Sequence, residues 1–357
     1  MNRYFYYPIA MCMLMNTIIF VPNILLARKE KGALLGMLLS LIIGPLLGYI
    51  FTKSFSRFKK KGLPEVLSQF VPKYVMVPVL AYLSCMWFAA GSIVIVTYTL
   101  VIKRYIMPDM PQELLLLFFM AAVCYCALKP TRTVLYLLEV ILMISVPLIV
   151  IILVKAVSNE YLSWYAIWNV ASDYVFTVPN TDVMSAATYI FSGYLNLVVF
   201  NKELGGQFTL KQFWAVPILG FGVLMTSFFI PIGFHGTIGI DNYVYSWIST
   251  ADSMRSEFGF VERVMYLFLL LYLNLSLIFT TVSWHVGYQL ANSLFAKRGL
   301  IGYVLLGLMI MITIGLIHYF SEKDFLTIGT KWLNVRLYSE VLLVMFIYYL
   351  SRKGKPI

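Results

Sequence analysis

Apolar residues run through this chain in long blocks, separated by short clusters of polar and charged positions. Ten blocks can be drawn: 4–26, 33–52, 73–102, 111–127, 133–157, 183–200, 211–234, 260–292, 299–320 and 332–351. A helix needs about 20 apolar residues to cross a bilayer core of about 30 Å, and the blocks cluster near that length. In lipid, backbone groups must be bonded within the segment, so such blocks predict helices. A membrane barrel would instead show strands of about 10 residues with alternating polarity, and these runs are too long and too evenly apolar. The stretch from Tyr4 to Leu26 follows Arg3 but has no small-x-small exit, so it is predicted as the first span and not as a cleaved leader.

The blocks also carry a pattern among themselves. The third (73–102) and eighth (260–292) are the longest and lie five apart, the offset of a 5+5 inverted repeat. The matching pair, the first and the sixth, both hold candidate breaks. Asn16-Thr17 sits mid-block in the first with Pro22 beyond it, and Ser192-Gly193 sits mid-block in the sixth. The expectation is an all-α integral membrane protein with about ten transmembrane helices, spans 1 and 6 being broken. Residues 1–357 form a single membrane domain, with 1–157 the first five-helix repeat and 183–351 the second. Paired interruptions at corresponding positions point to a midplane site. The candidate ligand-binding residues are Met15, Asn16 and Thr17 on the first span, and Ser192, Gly193 and Tyr194 on the sixth. Ser84 and Ser92 on the third and Asn274 on the eighth are possible walls. The alternative is that each polar group bonds only its own preceding turn. Gly32, Gly36, Ser40, Gly44 and Gly48 recur every four residues on the second span, a stripe that lets two backbones approach closely.

Composition narrows the class. Of 357 residues 61% are hydrophobic and only 12% charged, against about 25% charged in a soluble domain. That excludes a disordered chain, a disulfide scaffold and a cytosolic enzyme. The net charge of +11 is read as cationic loops that orient helices and meet anionic lipid heads, not as a nucleic-acid surface. With the N-terminus placed inside, 16 of the 27 Lys and Arg fall on the inner side and 13 of the 16 acids on the other, so both termini are expected to face the cytoplasm. Two outer segments are long. Residues 158–182, rich in Tyr and Trp, suit a helix or loop in the membrane interface, and 235–259 looks like a folded cap; either could cover a cavity or dock a partner.

Candidate chemistry is sparse. The four cysteines sit in apolar runs, and no His lies at metal-ligand spacing from a carboxylate or cysteine. Neither a catalytic triad nor a Walker-type loop is present, so no enzyme activity, metal or cofactor is expected. Glu139 on the fifth span is a candidate for a proton path, with an inner-interface acid near Arg132 as the favoured alternative. Arg336 and Glu340, four apart on the last span, can pair within one helix and read as structural glue.

Several stretches together resemble a known family: Phe260-Val-Glu262-Arg263 opening the long eighth span, Phe191-Ser-Gly193 followed by Lys202, Leu14-Met-Asn-Thr-Ile-Ile-Phe-Val-Pro22, and Gly62-Leu-Pro-Glu65-Val-Leu. The chain is similar over nearly its whole length to the B-subunit family of spore nutrient germinant receptors, within the amino acid/polyamine/organocation transporter superfamily. The resemblance implies ten spans in a 5+5 inverted repeat, placement in the spore inner membrane, a small nutrient ligand, and other germinant-receptor subunits as partners. An amino acid permease-like secondary transporter and a structural subunit with a degenerate pocket are the competing readings. The family has glycines at the first break, where this chain has Met15-Asn16-Thr17. It has acids where Leu195 and Met265 stand here. With no charge in the candidate lining, the expected nutrient is uncharged or apolar, or there is none.

Overall fold

The computed structural model describes residues 3–16, 18–174, 176–204, 210–254, 263–294 and 300–353. In chain order the helices are α1 (Arg3–Asn16), α2 (Phe20–Ala27), α3 (Ala33–Phe55), α4 (Leu63–Phe70), α5 (Lys73–Tyr105), α6 (Gln112–Ala127), α7 (Thr131–Val157) and α8 (Trp164–Asp173). Then come α9 (Thr181–Tyr189), α10 (Leu197–Leu204), α11 (Ala215–Gly239), α12 (Ser246–Ser253), α13 (Val264–Asn292), α14 (Leu300–Tyr319) and α15 (Glu322–Lys353). Every regular element among the described residues is helical, as lipid demands of open-ended segments. Among the described residues seven helices are long and apolar enough to cross a membrane: α3, α5, α7, α11, α13, α14 and α15. Two bent pairs, each taken as one span, bring the number up to nine. The chain is a multi-pass membrane protein.

Both bends fall at the polar positions of the first and sixth blocks. α1 and α2 meet at 51°, and α9 meets the segment Ser192–Leu204 at 64°. The second bend runs through a 3-10 turn, Ser192–Asn196, before α10 begins. The carbonyls loosened there find partners. Asn196 Nδ2 donates to Gly193 O at 3.0 Å, and the Cys12 thiol donates to Tyr189 O at 3.2 Å. At the first bend Asn16 Nδ2 donates to Cys12 O at 2.7 Å. Irregular backbone at this depth is tolerated because side chains re-satisfy it.

One block is short for a span, and one helix starts well before its block. Block 111–127 becomes the 16-residue α6, about 24 Å long and so shorter than the hydrocarbon core. The last helix begins ten residues before its block, at Glu322. Its start is fixed by Asp324, whose Oδ2 accepts from Ser321 N at 2.9 Å and Ser321 Oγ at 2.6 Å. A polar first turn of this kind reads as a loop by hydropathy but caps a helix.

The small-residue stripe of α3 packs along the broken α9–α10 segment. A Cβ on Gly36 would lie 2.3 Å from Val183 Cγ1, one on Gly44 2.4 Å from the Phe191 ring, and one on Gly48 2.9 Å from Tyr194. Gly32, at φ +85°, would meet the Pro179 backbone at 2.5 Å. The stripe therefore seats residues 179–194, which include the break. The long helices α5 and α13 pack against each other behind it, joined by Ser84 Oγ donating to Gly287 O at 2.8 Å and by the Phe88–Trp284 edge contact at 5.6 Å.

Candidate functional site

A cavity of about 70 Å³ lies beside the sixth-span break. That is several times the about 10–15 Å³ that one water needs. Each wall is a helical stripe. α5 supplies Leu83, Met86, Trp87 and Ala90; α13 supplies Phe279 and Ser283; α15 supplies Trp332, Arg336, Ser339, Glu340 and Leu343. Met11 and Cys12 close it from α1, and Tyr189, Ser192, Gly193, Leu195 and Asn196 from the break.

The polar centre of this cavity is the Arg336–Glu340 pair. Their side chains are 5% and 2% exposed, and Arg336 Nη1 bonds Glu340 Oε2. Glu340 also accepts from Ser192 Oγ at 3.0 Å and from Tyr194 OH at 2.5 Å. Arg336 Nη1 donates to Ser192 Oγ at 2.7 Å, and Nη2 donates to Ser185 O and, at 3.4 Å, to Thr188 Oγ1. The guanidinium lies 4.7 Å from the Tyr189 ring centroid. A guanidinium has five N–H donors. Four are spoken for, while buried Arg336 Nε has no hydrogen-bond partner among the described residues, and neither has Trp332 Nε1. The arrangement is net neutral and ties α15 to the break.

The predicted site residues divide. Ser192 and Gly193 line the cavity, and Tyr194 stands behind it holding Glu340. Asn16 lines a smaller chamber of about 10 Å³, bounded also by Phe20, Ala90, Tyr189, Gly329 and Trp332. Met15 is buried, but its sulfur accepts from Ser276 Oγ at 3.9 Å, and the cavity is reached instead by Met11 and Cys12. Ser84 bonds Gly287 O, and Ser92 pairs with Thr313 at 2.9 Å, so both join helices instead of lining the cavity. Asn274 is half-buried and outside the cavity lining. Thr17 lies outside the described residues, as does Glu262 of the Glu-Arg opening.

The uncharged lining expected from the sequence is corrected by Arg336 and Glu340. The spacing rule found their pairing; it did not reveal that both face the break. Glu139 has its partners on α1 and not on its own helix. Its carboxylate accepts from Tyr4 OH at 2.6 Å and Tyr7 OH at 3.3 Å and pairs with Arg3 at 3.2 Å, while Arg132 bonds Tyr136 OH. Arg132 is seven residues from Glu139, two helical turns or about 10 Å along the axis, which is too far for a pair.

The small chamber shares Ala90, Tyr189 and Trp332 with the central cavity, and Phe20 with an open crevice of about 270 Å³. That crevice carries Asn23, Arg28, Asp182, Thr327 and Thr330. The three spaces adjoin one another with aromatic rings between them: Tyr189 stands edge-on to Trp332 at 5.3 Å, and Phe20 rests where a Gly329 Cβ would be, 2.4 Å away.

Comparison with curated proteins finds none that matches the chain. Residues 4–324, however, match the family described as spore germination protein. Arg336 and Glu340 lie beyond the matched residues. Spanning nearly the whole chain, that match places it in the spore germination protein family.

Proposed function

We propose that this chain is the membrane subunit of a spore germinant receptor, holding a small nutrient in the cavity between the two broken spans and passing its occupancy to partner subunits. The observation that carries the reading is the cavity itself. It touches α1, the sixth-span break, α5, α13 and α15 at once, so a ligand there would bear on both hinges. The charge of the lining limits the ligand. A lone carboxylate would leave one uncompensated negative charge beside a pair already neutral within itself, at a heavy desolvation cost. A small solute of zero net charge with an oxygen acceptor fits better, its apolar part against Met11, Leu83, Met86 and Phe279.

Ala90 is the test position, since its methyl faces both the central cavity and the small chamber. Ala90→Trp fills that space. Spores carrying it are expected to keep the protein in the membrane and to lose nutrient-triggered germination. Normal germination with Ala90→Trp would dismiss the cavity as the nutrient site.

The same reading places ten crossings in a 5+5 inverted repeat, α6 being the shortest, with both termini cytoplasmic and the membrane that of the spore interior. Arg57, Lys59, Lys60 and Lys61 between α3 and α4 then face the cytoplasm. In sealed cells Lys59→Cys should resist a membrane-impermeant thiol reagent and Tyr165→Cys, 79% exposed on α8 in the wild type, should react. The reverse pattern would invert the topology.

A further inference from the structure

A second groove, of about 80 Å³ and unconnected with the nutrient reading, lies between α7 and α11. Its mouth is formed by half-buried Ile149, Leu153 and Val223, and its floor by buried Ile152, Phe268 and Leu271. The mouth opens on an exposed apolar surface. Beside it on α7, Val150, Ile151 and Val154 are 53%, 49% and 58% exposed, and on α11 Ile218 and Leu219 are 60% and 59% exposed.

The groove has no free hydrogen-bond donor to offer. Thr226 Oγ1 donates to Gly222 O at 2.8 Å and Ser227 Oγ to Leu224 O at 3.0 Å, both within their own helix. The Trp247 indole N–H donates to Ser227 O at 3.0 Å. A polar solute entering here would give up its waters for nothing. A hydrocarbon chain gives up no hydrogen bond there, and in a bilayer lipid tails would cover both exposed apolar rims.

We propose that a membrane phospholipid inserts an acyl chain into this groove from the leaflet on the α12 side, the side marked by Trp247. The inner end of the groove is Leu14 and Ile18, which flank the bend between α1 and α2. A chain seated there braces the first-span hinge from behind, on the face away from the central cavity.

The experiment uses the full chain in vesicles of phosphatidylcholine carrying a diazirine on one acyl chain. After illumination the labelled residues are mapped by mass spectrometry. The expected result is labelling of the floor, Ile152, Phe268 and Leu271, in addition to the outward residues Val150 and Val154. Val223→Trp, which blocks the mouth, should abolish floor labelling and leave the outward labelling intact; Leu153→Trp blocks it from the other helix and serves if the first variant fails to fold. Labelling of the wild-type chain confined to Val150, Ile151 and Val154 overturns the proposal, as does floor labelling that survives a folded mouth-blocking variant.

Discussion

Glu340→Ala is expected to destabilise the protein by about 3–5 kcal/mol, the usual cost of stripping one partner from a buried ion pair. Arg336 would keep its charge at 5% side-chain exposure, with no carboxylate to balance it. Tyr194 and Ser192 would lose their acceptor as well. Arg336→Ala should be similarly damaging, since it leaves the buried Glu340 carboxylate without its cation. The double change Arg336→Met with Glu340→Leu removes both charges while keeping most of the volume, and should recover much of the loss. Thermal unfolding of the detergent-solubilised variants measures the three terms as a double-mutant cycle. Single changes that each cost below about 1 kcal/mol, the range of a solvated surface pair, would show that water reaches the pair. The double variant also separates glue from function. If it folds and still germinates normally with nutrient, the pair only holds α15 to the break.

That pair marks the limit of what the sequence could tell. The apolar blocks announce the helices because lipid leaves the backbone no other choice, and Asn16-Thr17 and Ser192-Gly193 announce the bends because polar and flexible residues at mid-membrane need a reason. The α3 stripe is legible for the same cause: small residues every four positions have no use except close packing. What a single helix cannot reveal is which of its faces meets the cavity. On α5 the lining follows Leu83, Met86, Trp87 and Ala90, spaced three and four apart. Ser84 and Ser92 are equally polar and equally deep, but they stand off that stripe and meet α13 and α14. On α13 the stripe is Phe279 and Ser283, and Asn274 is rotated away by about 140° from Phe279 at 100° per residue. Arg336 and Glu340 satisfy each other at i, i+4, so within their own helix their chemistry is complete, and nothing in the sequence calls for a third element.

Gly193→Val is expected to be at least as damaging as the loss of Glu340, by a different route. A Cβ at Gly193 would stand 2.2 Å from Pro8 O and 2.5 Å from Ile9 Cα. Both neighbours are main-chain atoms of α1, and no side-chain rotation relieves the clash. At Gly44 or Gly220, by contrast, the neighbour is the Phe191 ring, which has some freedom to tilt. Gly193 is where the two broken spans cross backbone to backbone, so a side chain there forces α1 and the 3-10 turn apart and disturbs both hinges together. Overpacking that side chains can relieve costs about 1–3 kcal/mol, and a clash with main chain, which no rotamer relieves, belongs beyond that range. Gly193→Ala should already lower the unfolding temperature more than Gly44→Ala, and Gly193→Val should prevent accumulation of folded protein. Displacing α1 would also pull Met11 and Cys12 from the cavity wall and break the Cys12–Tyr189 hydrogen bond. Any Gly193→Ala protein that does fold is therefore expected to respond to nutrient weakly. A folded, fully responsive Gly193→Val protein would mean that the two spans are not in contact at this point, and the cavity between them would have to be redrawn.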